Sequence, residues 1–219
     1  MRLESKRASV PSLFLELSNK VSALLADPAV AAKWDDPSAL EGMTVGALAA
    51  HLGRAFTTTW LYLQADPCGV AADVDASTYF HRVFDRPTEE IAELNASILQ
   101  RAHDDAEDGA ATVLELHNST VTDLRLRLIG EPAERGIEVF GDLCMQLDDY
   151  LVTRLVEAVV HSDDLAVSVG IDTPAFAPDV VDLVMVTMLG VARERHGDIA
   201  MLREFARGER ASGTTLPVF

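Results

Sequence analysis

Cysteine is scarce in this chain, with only Cys68 and Cys144 among 219 residues. Neither belongs to a C-x-x-C pair, which excludes a cysteine zinc site and a dithiol redox motif. One disulfide is arithmetically possible, but nothing resembles the scaffold of a small secreted protein. Basic residues are also few: 18 Lys and Arg stand against 35 Asp and Glu, a formal net charge of −17. Phosphate backbones and anionic lipid are bound by neutralising their charge with Lys and Arg, so neither nucleic acid nor a membrane surface suits this chain. No apolar run approaches the roughly 20 residues that span a bilayer. The first ten residues are polar and basic, without the apolar core of a signal peptide behind them. These absences point to a cytoplasmic protein in a reducing compartment. Long polar tracts, repeats and low-complexity segments are missing too, and with 48% hydrophobic residues the chain is not a disordered one.

What is present is helical periodicity almost from end to end, with very little strand-like alternation. Leu13, Leu17, Val21, Leu24 and Leu25 mark a first helix, stopped near Asp27-Pro28. Trp34 to Gly42 reads as a connecting loop. Thr44 is placed to cap a second helix from Val45 to about Gln64 by accepting an orphan backbone N–H. After a polar connection a third helical region starts at Pro87, breaks at Asp108-Gly109 and resumes to Leu128. Ile137 to Phe140 is the one candidate extended segment. A fourth helix runs from Leu147 to Val169 and ends at Gly170. A last one follows Pro178, from Asp179 to about Arg195, with an irregular tail from Gly208 to Phe219. The predicted fold is all-α: a four-helix bundle with a long crossover, plus an extra C-terminal helix and tail. Residues 1–170 would form the bundle, and 171–219 would pack on it without folding independently. Nothing in the sequence specifies an oligomeric state.

The fourth helix carries little polarity, and nearly all of it falls on one stripe: Tyr150, Thr153, Arg154, Glu157, His161, Asp164 and Ser168. Glu157 and His161, four residues apart, leave one face about one turn apart and can reach one ion. Taken alone, a lone E-x-x-x-H pair is better read as part of a solvated stripe. On the second helix His51 shares its face with Thr44, Ala47, Leu48, Arg54, Ala55, Thr58 and Tyr62. Its small neighbours leave space before the imidazole, although a core histidine bonded to a carbonyl accounts for it equally well. His81, His103, His117 and His196 lie in polar or loop contexts and read as surface residues.

Two segments carry a resemblance to a known family. Leu40-Glu41-Gly42-Met43-Thr44-Val45-Gly46-Ala47-Leu48-Ala49-Ala50-His51-Leu52 looks like the entry to the second helix of the DinB-like superfamily. Within it the pattern is similar to that of the mycothiol-dependent maleylpyruvate isomerases. Met43 stands where that pattern has tryptophan, an exchange of one large apolar residue for another. Tyr150 to Ala166 resembles the family's Thr-Arg-x-x-Glu-x-x-x-His-x-x-Asp-Leu-Ala helix. Two motifs in the right order, about a hundred residues apart, are far more specific than either alone. The resemblance runs from about Val10 to Val169.

The resemblance implies that His51, Glu157 and His161 bind a divalent metal, zinc first, with nickel, iron or manganese admissible at a mixed nitrogen and oxygen site. Two imidazoles and a carboxylate leave a fourth position open, as in catalytic rather than structural zinc sites. It also implies mycothiol, the low-molecular-weight thiol of actinobacteria, as cosubstrate. The partners expected are a small thiol and a small electrophile, joined by S-transfer, or isomerised if the thiol leaves again. Asp164, one turn beyond His161, is a candidate to fix a histidine tautomer, with a solvated carboxylate as the plain alternative. Arg154 is a candidate to hold a carboxylate of substrate or thiol, the alternative being an ion pair with a neighbouring acid. Two rival functions share this fold: a non-catalytic metal-binding stress or sensing protein, and a metal-dependent hydrolase acting through an activated water.

Overall fold

The structure is a computed structural model that describes residues 9–68, 72, 74–139 and 143–206. Its helices are α1 (Val10–Leu25), α2 (Pro28–Ala32), α3 (Val45–Gln64), α4 (Ala76–Phe84), α5 (Thr88–Ala106), α6 (Gly109–Leu128), α7 (Leu147–Val169), α8 (Pro178–His196) and α9 (Asp198–Ala206). Two short strands, β1 (Gly136–Val139) and β2 (Leu143–Gln146), pair antiparallel with Ile137 opposite Met145.

Four helices close a ring. α1 packs on α6 and α7, and α3 packs on the same two, leaving α1 and α3 as the diagonal pair. The chain is an α-helical bundle with one small two-stranded sheet. Its interior is apolar side chains at helical spacing: Phe14 and Leu17 from α1, Leu48, Leu52 and Phe56 from α3, Leu124 from α6, Leu151 and Leu155 from α7. Each large side chain so buried contributes roughly 1.5–3 kcal/mol relative to exposure.

The helix ends follow their local chemistry. The Thr44 side chain accepts the Ala47 N–H at 3.1 Å, capping α3. Gly170 terminates α7 with φ 78°, a left-handed geometry that costs other residues more. The break between α5 and α6 falls at Gly109, φ 84°. α5 then packs on α3 from outside while α6 takes the place in the ring, so the third helical region supplies the bundle only through its second half. At the end of α3, the carbonyl of Ala65 accepts from Arg135 at 2.6 Å and that of Leu63 from Arg127 at 3.1 Å. Both arginines pair with the buried Glu131 carboxylate, which ties the end of α3 to the turn before β1.

Several expectations need correction. α2, α4 and α9 fall in segments read as connections or left unassigned, and β2 forms a partner for the expected extended segment. Phe140 and the tail from Gly208 lie outside the described residues. His117 is not a surface residue. It is 1% exposed on the inner face of α6, its ring edge-on to Phe56 at 4.7 Å and its Nε2 3.3 Å from the Ser18 carbonyl. The single polar character of histidine hid this position among Glu115, Asn118 and Ser119, which face outward. His81 is half-buried on α4. The two cysteines are joined as a Cys68–Cys144 disulfide, which ties the segment after α3 to β2.

Candidate metal centre

α3 and α7 are neighbours in the ring, and their facing surfaces carry the site. The start of α3 is set by Trp34, whose carbonyl accepts from Gly46 N at 2.8 Å and whose indole N–H donates to the Ala106 carbonyl at 3.3 Å. The indole covers Gly46 so closely that a Cβ there would stand 2.5 Å from the ring. The next turn presents His51, flanked along its own face by the buried small residues Ala47 and Ala55, while Ala50 turns toward Ala106 and Val113. On α7, Thr153 and Ser162 turn their hydroxyls onto carbonyls of their own helix, Tyr150 and Ala158, so they are buried without orphan groups. Glu157 and His161 remain as the polar groups pointing across.

The donor atoms of His51, Glu157 and His161 all lie within 4.8 Å of one another. The two imidazoles meet edge to face, centroids 4.9 Å apart. His161 is held from both sides, Nδ1 3.0 Å from Asp164 Oδ2 and Nε2 3.2 Å from Glu157 Oε2. The Asp164 carboxylate is itself on the helix stripe, next to Ser168, whose hydroxyl donates to the Asp164 carbonyl and accepts from Ala39 N at 2.8 Å. His51 Nδ1 is buried and has no hydrogen-bond partner among the described residues.

The electrostatics follow from this packing. Burial pushes His51 down to about 4, and the neighbouring His161 charge pushes the same way, so His51 is neutral at pH 7. Burial alone would raise Glu157, but the His161 hydrogen bond and the Arg154 charge overcome it and hold the carboxyl at about 2. For His161 burial acts downward and is outweighed by the Asp164 and Glu157 hydrogen bonds, which lift it to about 9. The three groups thus form a half-buried, charge-coupled cluster, and the buried Nδ1 of His51 is its orphan atom. An unpaired buried nitrogen beside a carboxylate and a second imidazole is the donor set expected of a divalent ion that accepts nitrogen and oxygen ligands.

All five residues singled out from sequence come together here. His51, Glu157 and His161 converge, Asp164 contacts His161, and Arg154 lies one turn from Glu157 with its Nε donating to Thr153 Oγ1 at 3.1 Å. Tyr79 was missed. It reaches the Arg154 and Glu157 fields from α4, a helix signalled by Asp75, whose side chain accepts from Thr78 N at 2.8 Å, and by the Phe80 and Phe84 spacing.

Fold and site together define an all-helical DinB-like bundle with a His–Glu–His cluster between two of its ring helices. A family model described as the mycothiol maleylpyruvate isomerase N-terminal domain matches residues 14–166, more than two-thirds of the chain. The chain belongs to that family. No curated protein and no solved structure shows a significant match to it. Among the described residues no helix is long and apolar enough to cross a membrane.

Proposed function

We propose that this protein is a metal-dependent, mycothiol-dependent transferase or isomerase acting on a small electrophile, with His51, Glu157 and His161 holding one divalent ion, zinc first. The observation that carries the reading is the convergence of three donor groups within 4.8 Å, one of which belongs to His51, whose buried Nδ1 has no partner among the described residues. Membership of a family described by mycothiol supports a thiol as cosubstrate. A divalent ion held by these two imidazoles and one carboxylate would supply the Lewis acidity that lowers a thiol's pKa and makes it nucleophilic.

The chain's own residues do the rest. Asp164 accepts from His161 Nδ1 and so leaves Nε2 to face the cluster, fixing ring and tautomer. Glu157 stays ionised at any ordinary pH and brings the anionic donor. His51, neutral at pH 7, needs no deprotonation to donate its lone pair. The site sits between packed helices, where electrostatic contacts are stronger than at the open surface.

Elemental analysis tests the first half: one divalent ion per chain in wild type, and none in His51→Ala or His161→Ala. Conjugation of a chlorinated nitrobenzene or a bimane tests the second, and should be fastest with holo protein plus mycothiol. Equal rates with holo protein, chelated protein and buffer would leave a non-catalytic metal-binding protein. Consumption of substrate without thiol would leave a hydrolase.

A further inference from the structure

α8 packs on α4 and α7, and its buried residues Val180, Val184, Thr187 and Val191 form one stripe. The opposite side leaves Val181, Met185, Val186 and Leu189 in water, with Val186 68% and Met185 60% exposed. α9, joined to α8 through Gly197 alone, adds Ile199, Leu202 and Phe205. Seven of the twelve large apolar side chains exposed among the described residues thus fall on these two consecutive helices. Scattered singly, such residues need no explanation. Gathered in this way they mark a surface that another body covers.

The order of residues along that side identifies the other body. Asp179, Asp182, Val186, Leu189, Arg193 and His196 are all exposed and follow the alternating three- and four-residue spacing of a two-helix seam. At the α-helical turn they fall within about 100° of arc. Acid occupies the first third of this stripe, apolar side chains its middle and base its last third. An identical stripe laid antiparallel brings Asp182 of one copy opposite Arg193 of the other, Asp179 opposite His196, and Val186 opposite Leu189, each pair made twice by the two-fold symmetry. A parallel copy would set acid on acid and base on base. Acid at the start of a helix and base at its end also suit its own dipole, but the dipole does not ask for an apolar middle left in water. Arg193 gives its Nε–H to Asp198 at 2.6 Å, which uses one of the five N–H groups of a guanidinium.

We propose that the outer face of α8 is the contact between two copies of this chain, crossed antiparallel about a two-fold axis between Thr187 and Met188. α8 has 19 residues, roughly 28 Å of helix, and one such helix pair falls short of the ~800 Å² per partner of a standard interface. Ile199, Leu202 and Phe205 of α9 widen the contact. The formal net charge of −17 opposes self-association, so the basic end of the stripe, set against acid, fixes both direction and register. The inference does not depend on the metal reading, because none of these residues belongs to the cluster.

Sedimentation velocity of the intact protein from about 1 to 200 µM, in about 0.15 M salt to screen distant charges, tests this directly. The mass should rise from one chain toward two as concentration increases. Val186→Glu, which puts a charge into the apolar middle from each copy, should leave a monomer. Asp182→Arg and Arg193→Asp each set like charges opposite one another and should weaken association about tenfold or more. Combining the two exchanges restores opposite charges and should restore the dimer. Arg193→Asp also loses the Asp198 partner, so recovery in the double variant is a readout that a local role would not give. Far-UV circular dichroism checks that the variants are folded, and the concentration series on wild type needs no variant at all. A monomer across the whole range overturns the proposal, whether residues 207–219 or a different protein then covers the face. A dimer that Val186→Glu leaves intact overturns it too, as does a double variant no better associated than either single one.

Discussion

Replacing His117 with phenylalanine removes a titratable ring from the middle of the bundle while keeping its flat shape. The ring sits edge-on to Phe56, which in turn stacks on Phe14 at 4.8 Å, so α1, α3 and α6 meet through it. Its Nε2–H donates to the Ser18 carbonyl at 3.3 Å, and that carbonyl also accepts from Ser22 Oγ at 2.9 Å, so it is not orphaned in the variant. Burial lowers His117 from 6.5 to about 4, opposed only by the Ser18 hydrogen bond, with no charged side chain contributing. The unfolded chain therefore binds one proton more than the folded chain between pH 6.5 and about 4. The stability linked to this ring is complete above pH 6.5 and is lost as pH falls toward the folded value. With those two pKa values the loss is about 2 kcal/mol between pH 7.5 and pH 5, and about 3 kcal/mol once both states are protonated. Urea unfolding of wild type and His117→Phe across that range, with chelator throughout, isolates the increment, because every other titrating group is common to both proteins. The variant should be flatter in pH by that amount. If both proteins lose stability equally steeply, His117 is not buried as described.

Four further outcomes are expected. Gly46→Ala should destabilise by about 1–3 kcal/mol in urea, because its Cβ would stand 2.5 Å from the Trp34 ring; an unchanged midpoint would mean that the indole moves aside freely. Asp164→Ala should weaken metal binding by about 10–100-fold in competition with a chelator while the helical circular dichroism is kept, because it removes the acceptor of His161 Nδ1. Glu157→Gln, which takes away the anionic donor, should lower metal content without unfolding the bundle, as measured by elemental analysis and thermal melting. Reducing the Cys68–Cys144 disulfide, which spans 76 residues, should cost up to about 4 kcal/mol by the loop-entropy argument, read as a lower urea midpoint with reductant.

The long helices were legible because their evidence is local. Apolar spacing, the Thr44 cap, the Gly109 break and the Gly170 stop each act within a few residues, and the observed α1, α3, α6 and α7 begin and end close to those signals. The convergence of His51, Glu157 and His161 was legible for a different reason: Glu157 and His161 share one helix, and the motif around His51 supplied the partner that spacing alone could not. α2 and α4 were not legible, being five and nine residues long; helices so short draw their stability from packing more than from their own sequence.

Other features belong to the tertiary structure alone. Whether a histidine is a surface residue or a core one depends on which side of α6 meets α1, and position 117 shows no difference from its polar neighbours until that face is chosen. The pairing of Cys68 with Cys144 needs β2 brought back beside the end of α3. Arg154 could be numbered on the right stripe from sequence, but the contact of Tyr62 with the Tyr150 ring beside it exists only once α3 and α7 are packed. Local patterns determined the helices and named the donors, because hydrogen bonding and side-chain spacing repeat along the chain. Burial, charge and partnership were decided by which helices became neighbours, because those energies depend on what surrounds a group in space.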